Sequence, residues 1–111
     1  MFNRIEENPL LRIIGYAETA QEAIRELSAT RPDLVLVDLH LAQGTGYDVL
    51  RYLHAAGAYA RLRAVVVTNH ASPSHRSRAI ALGASEFFDK SLEFEEMLAA
   101  LHRHALQKDA G

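Results

Sequence analysis

The chain contains no cysteine, which removes disulfides, thiolate nucleophiles and sulfur-bound zinc together. It also has no basic excess: twelve Lys and Arg stand against fourteen Asp and Glu, a net charge of −2. A surface that neutralises a phosphate backbone needs positive charge in excess, so nucleic acid is not an expected partner. No apolar run approaches the roughly 18 residues of a membrane span. Met1 to Leu11 carries Arg4, Glu6, Glu7 and Pro9 where a signal peptide needs an unbroken apolar stretch. The expectation is a cytoplasmic protein with no membrane partner. Linkers, repeats and low-complexity tracts are missing too, and 111 residues leave room for a single domain, 1–111. What is present is 49% hydrophobic and 23% charged residues, the balance of a chain that folds around a core.

Short apolar segments alternate with turn signals along the chain. Arg12-Ile13-Ile14-Gly15-Tyr16-Ala17 is a partly β-branched run that predicts a strand. Thr19 and Glu22 then form a capping box ahead of Ala20, Ala23, Ile24 and Leu27 at helical spacing. After Pro32-Asp33, the run Leu34 to Val37 shows no polar alternation, the pattern of a strand covered on both faces, and it stops at Asp38. Thr45 is placed to cap a helix with Val49, Leu50, Leu53 and Ala56 on its apolar side, ending near Gly57. A second buried run, Ala64 to Val67, stops at Thr68. Ser72-Pro73 opens a helix that reaches Leu82, with Gly83 in place for a left-handed C-cap. Ser85 to Asp89 predicts a last strand, stopping at Lys90. Ser91 opens a final helix with Phe94, Met97, Leu98, Leu101 and Ala105 on one face, and Gln107 to Gly111 is a polar end.

Strands alternating with helices in this order predict an α/β fold with an open parallel sheet of four strands. Ligands of such a sheet sit beyond the carboxyl ends of its strands. Asp38, Thr68 and Lys90 are the first polar residues at three of those ends, so they are expected to converge. A carboxylate, a hydroxyl and an ammonium at one edge suit phosphoryl handling. Asp38 supplies the attacking oxygen, and Thr68 and Lys90 supply a hydrogen bond and a positive charge for the phosphoryl oxygens.

These motifs resemble the receiver domains of two-component response regulators. The matching pieces are Arg31 to Leu39, Gly44 to Asp48, Val65 to Thr68, Ala81 to Ala84, and Phe87 to Ser91, together covering roughly Leu10 to Leu106. The resemblance implies a CheY-like, flavodoxin-like sheet, with Asp38 as phosphoacceptor, Thr68 and Lys90 as phosphoryl-binding residues and Phe87 as a switch aromatic. It implies Mg²⁺ as cofactor and a histidine kinase or phosphotransfer protein as partner. It also implies a signalling module and not an enzyme. The chain departs from the family at its start: the first strand, with the acidic pair that holds Mg²⁺, is missing, which leaves the metal ligands unknown. Met1 to Leu11 resembles the tail of the first helix. Ser91 follows the lysine where many family members carry Pro, and a cis Lys90-Ser91 bond would cost about 3 kcal/mol.

His40 and His70 each lie two residues past a site residue and are candidate modulators of water access. His102 and His104, spaced by two, point to different helix faces and make no metal site. The expected function is a stand-alone receiver in a phosphorelay, without a DNA-binding output domain, acting on an unidentified target by protein contact. An alternative is a phosphorylation-incompetent pseudo-receiver acting as an interaction or dimerisation module. A haloacid-dehalogenase-type phosphotransferase ranks lower, because that family places a second acid where His40 stands. A homodimer is also expected. With the first strand missing, one sheet face keeps only the last helix and the N-terminal segment, and Phe2, Ile5, Leu98 and Leu101 are the expected contacts.

Overall fold

The computed structural model describes residues 2–69 and 71–110. Val65 and Val66 are adjacent and both fully buried, which places the strand that carries them at the centre of the molecule. That strand, β2 (Arg63–Thr68), pairs in parallel with β1 (Leu34–Val37) on one edge and with β3 (Glu86–Asp89) on the other. The register sets Val37 opposite Val66 and Thr68 opposite Asp89.

Alternation along the strands divides the apolar residues between two cores. Ala64, Val66, Val37 and Phe87 face α2 (Ala20–Thr30), α3 (Gly46–Ala55) and α4 (Pro73–Ala81), where Leu27, Leu50, Leu53 and Ala79 meet them. Val65 and Val67 face α1 (Phe2–Glu6) and α5 (Phe94–Ala110), meeting Ile5, Met97 and Leu101. Phe87 and Phe88 fall on opposite faces as the period of two requires. No described helix is long and apolar enough to cross a membrane.

Three expectations need correction. Arg12–Ala17 carries no regular secondary structure and forms no strand, so among the described residues the sheet has three strands. A strand exists only by pairing, and no neighbouring strand lies beside this segment. Ile5 and Leu101, expected on a dimer surface, are 7% and 3% exposed inside the second core, because α1 and α5 pack them against Val65 and Val67. Phe2 remains exposed, its ring set edge-on to Tyr16, while Leu98 packs partly buried against the second core. Finally, α5 begins at Phe94 and runs to Ala110, so Ser91 does not open it and the polar end is helical up to Ala110.

The helix starts follow their capping chemistry. Thr19 accepts from the Glu22 N–H, and Ser72 accepts from the His75 N–H with Pro73 in the first turn. Thr45 and Asp48 form a reciprocal capping box at α3. Gly83 takes φ +104 after α4, with the Tyr59 ring filling the space where a Cβ would sit.

Gly46 starts α3 directly against the end of β1. A Cβ there would lie 2.4 Å from the Asp38 carbonyl oxygen and 2.9 Å from Leu39 Cα. Gly46→Ala is therefore expected to cost about 1–3 kcal/mol in urea unfolding, the usual penalty of forcing atoms into a packed site. The Thr45 backbone N–H, and after it the Arg51 guanidinium, hold the Asp48 carboxyl below its ordinary value of 3.8. A depressed acid stabilises the fold fully above 3.8 and loses that contribution as pH falls through its lower folded value. Asp48→Asn is expected to flatten the acid limb of the stability curve, measured as unfolding midpoints across that pH range.

Candidate functional site

Three strand ends deliver the expected residues to one edge. β1 ends at Val37, so Asp38 is the first residue beyond it; Thr68 closes β2; and Lys90 follows β3. The Lys90 N–H donates to the Thr68 carbonyl at 2.9 Å, continuing the ladder one step past β3 and fixing the start of the lysine side chain. From there Lys90 Nζ reaches Asp38 Oδ2 at 2.8 Å, and both side chains are 29% exposed. The other carboxylate oxygen, Oδ1, accepts the His40 N–H at 2.9 Å. Thr68 is fully buried. Asp38, Thr68 and Lys90 thus occupy one edge, as their positions in the sequence predict. His40 reaches the site through its backbone, and His70 lies outside the described residues.

The loop after Lys90 is held by a chain of carboxylates. Asp89 Oδ1 accepts the N–H groups of Ser91 and Leu92 at 2.8 and 3.0 Å, and Glu93 Oε1 accepts the Asp89 N–H at 2.9 Å. Ser91 Oγ meets Asn69 Oδ1 at 3.2 Å, joining this loop to the one after β2. There is no cis peptide bond among the described residues, so Lys90-Ser91 is trans.

Phe87 is 2% exposed, and its ring is capped by Arg76 with the guanidinium carbon 5.0 Å from the centroid. Arg76 also donates to the Phe87 carbonyl at 3.2 Å and lies 3.7 Å from Glu93 Oε1. One arginine therefore bridges α4, β3 and the turn into α5. Sequence reasoning missed Arg76, because a lone basic residue on a helix carries no local signal.

The two histidines of α5 have structural partners. His104 Nε2 meets Glu86 Oε1 at 2.7 Å, and His102 Nδ1 meets Asn8 Nδ2 at 2.8 Å. Glu7 pairs with Arg4 at 3.5 Å on the N-terminal helix. Among the described residues no group of three or more His, Asp or Glu is placed to hold a metal. Mg²⁺ does not fit the residues present at the edge: Asp38 is a single carboxylate, with its oxygens taken by an ammonium and a backbone N–H.

Beside the site a cleft of about 1240 Å³ opens between the irregular segment 10–18 and β1, lined by both and reaching Asp38, His40 and Lys90. It lies where Arg12–Ala17 and β1 would each need a strand partner.

The Asp38–Lys90 pair is part exposed, and its energy follows. A double-mutant cycle with Asp38→Ala and Lys90→Ala is expected to return a coupling of about 0.2–1 kcal/mol. Added salt should shrink it, as screening demands for charges that water reaches.

Comparison with known proteins gives a consistent picture. The family model described as the response regulator receiver domain matches residues 2–102. A protein-glutamate methylesterase/protein-glutamine glutaminase of Geobacter sulfurreducens is 32% identical over 104 residues, covering 89% of this chain and 27% of that protein. A signal receiver domain from Vibrio parahaemolyticus superposes with TM-score 0.83 at 22% identity, over 97% of this chain and 80% of that one. A Burkholderia pseudomallei response regulator whose structure contains a phosphorylated aspartic acid and a calcium ion superposes with TM-score 0.76 at 26% identity. That match covers 97% of this chain and 61% of the other. The chain spans 27%, 44% and 43% of the lengths of three curated relatives it matches.

Proposed function

The chain belongs to the response regulator receiver domain family, and from that premise we propose that Asp38 is the carboxylate that accepts a phosphoryl group in two-component signalling. The observation that carries this reading is the Lys90 ammonium held 2.8 Å from Asp38 Oδ2, at the strand edge where the buried Thr68 closes β2. The donor is a phosphohistidine of a histidine kinase or a phosphotransfer protein. An Asp38 oxygen attacks phosphorus, the new O–P bond forms as the donor P–N bond breaks, and the departing imidazole nitrogen keeps the electron pair and takes a proton from water. Lys90 moves its charge from the carboxylate to a phosphoryl oxygen, and the Thr68 hydroxyl turns to donate to another. The side chain of Phe87, buried under Arg76, is the element through which that rearrangement reaches the α4 face. Output is then a contact with a target protein, and the chain turns over no substrate of its own.

The second reading, a pseudo-receiver that binds without being phosphorylated, is favoured by one observation. A lone ammonium neutralises only part of the charge of an incoming phosphoryl group, and the residues present do not suit a divalent cation. The rate of phosphorylation of this chain alone is accordingly expected to be low.

Intact-mass measurement after incubation with a small acyl phosphate or a phosphohistidine donor separates the readings. The expected result is slow, substoichiometric gain of one phosphate, abolished in Asp38→Asn. Phosphate retained in Asp38→Asn overturns the assignment of the acceptor. No gain with either donor, in a chain that remains folded, establishes the pseudo-receiver.

A further inference from the structure

We propose that Arg76 and Glu93 form a latch that closes the outer edge of β3 and ties α4 to the turn carrying Lys90, which makes Arg76 a positioning residue for the lysine. The latch gives the site a route to α4 besides the Phe87 ring. Its consequence for signalling rests on the reading of Asp38 as phosphoryl acceptor, whereas the linkage itself belongs to the unmodified chain.

The latch stands where a further strand would pair. The Lys90 N–H donates to the Thr68 carbonyl, so alternation turns the backbone of Glu86, Phe88 and Lys90 toward β2 and that of Phe87 and Asp89 away from it. Three of the outward groups are taken from α4 and the turn. Arg76 donates to the Phe87 carbonyl at 3.2 Å, Glu93 Oε1 accepts the Asp89 N–H at 2.9 Å, and the Glu93 N–H donates to the Asp89 carbonyl at 2.8 Å. The two side chains meet over the edge, with Arg76 Nη2 3.7 Å from Glu93 Oε1.

The turn from Asp89 to Glu93 is stiff enough to carry a displacement. Asp89 Oδ1 accepts the N–H groups of Ser91 and Leu92, while Glu93 closes on both backbone groups of Asp89. A shift of Lys90 within that turn therefore moves the carboxylate that faces Arg76. Lys90 is held at its backbone by Thr68 and at its tip by Asp38. Arg76, Glu93, Asp89, Lys90 and Asp38 thus make one unbroken set of contacts from α4 to the site.

The member of this set that yields is α4. It buries one residue, Ala79, whereas α3 buries Tyr47, Val49, Leu50 and Leu53. Two arginines stacked on aromatic rings add to its seating, Arg76 over Phe87 at 5.0 Å and Arg78 over Tyr47 at 4.2 Å. A helix with so little buried apolar surface opens more readily than the core around it. The side chains of Arg76 and Glu93 are 50% and 38% exposed, so water weakens their pair enough for it to break and re-form. Releasing Lys90 from Asp38 loosens α4, and by linkage whatever seats α4 holds Lys90 on Asp38 by the same factor.

Amide hydrogen exchange and the Lys90 Nζ resonance of the isotope-labelled full chain test the latch. Arg76→Gln is expected to speed exchange of the Asp89 and Lys90 amides roughly three- to tenfold, the scale of one part-exposed charged contact. It should also move the Lys90 Nζ resonance toward its position in Asp38→Ala. Glu93→Gln keeps an acceptor for the Asp89 N–H but not the charge, so it should reproduce the Lys90 shift and add nothing when combined with Arg76→Gln. Arg76→Lys, which keeps a positive charge toward Glu93, should restore most of that shift. In the reverse direction, Asp38→Ala should speed exchange of the α4 amides, with unchanged exchange at Val65 and Val66 showing the fold intact. A change confined to α4 in Arg76→Gln overturns the proposal, as do additive effects of the two substitutions, or α4 exchange that does not respond to Asp38→Ala. None of these readouts needs a phosphate on Asp38, so failure to phosphorylate bears on the acceptor assignment and failure of these linkages on the latch.

Discussion

Parallel pairing on both edges of β2 is the constraint from which the rest of the molecule follows. A parallel strand has no hairpin to hold it, so each neighbour must arrive through a helical crossover, and each crossover covers a face. The connections through α3 and α4 lie on one side of β2, with α1 and α5 on the other, which is why Val65 and Val66 point to different cores yet are equally buried. β3 is short, at four residues, and side chains tie its outer edge: the Phe87 carbonyl accepts from Arg76 and the Asp89 N–H donates to Glu93. β1 has the same length, but its outer edge faces the cleft. The asymmetry between the two edges is the main irregularity of the fold.

The same sheet explains the geometry of the site without any appeal to the strength of its ion pair. Asp38, Thr68 and Lys90 are set by where three adjacent strands stop, and the bond from the Lys90 N–H to the Thr68 carbonyl carries the ladder up to the lysine. A part-exposed pair contributes at most about 1 kcal/mol, whereas truncating a core residue such as Leu50 would cost about 2–5 kcal/mol. The scaffold therefore positions the charged groups, and either can change without threatening the fold. Buried packing carries the stability and leaves the edge free for chemistry.

Residues whose neighbours in space are set by local pattern were legible before the structure. The unalternating runs Leu34 to Val37 and Ala64 to Val67, the caps at Thr19, Thr45 and Ser72, and the stops at Asp38, Thr68 and Lys90 all stand where pattern places them. The segment Arg12–Ala17 has the composition of a strand but no strand, because pairing is a property of the partner as much as of the segment. Ile5 and Leu101 were misplaced for a related reason: α1 and α5 pack against Val65 and Val67, a contact between elements far apart in the sequence that local pattern does not reveal. Arg76 was invisible because its three contacts, to the Phe87 ring, the Phe87 carbonyl and Glu93, are all made across elements.

The placement of Asp38 ties the irregular edge to the candidate chemistry. It directly follows the strand whose free edge forms one wall of the cleft, and Gly46 packs against its carbonyl oxygen from the other side, so its backbone is clamped by α3 while its side chain stays accessible. The two carboxylate oxygens are held in turn by groups from different elements, Oδ2 by the Lys90 ammonium that follows β3 and Oδ1 by the His40 N–H of the loop after β1, so backbone packing fixes where the carboxylate stands and two donors fix how it is turned.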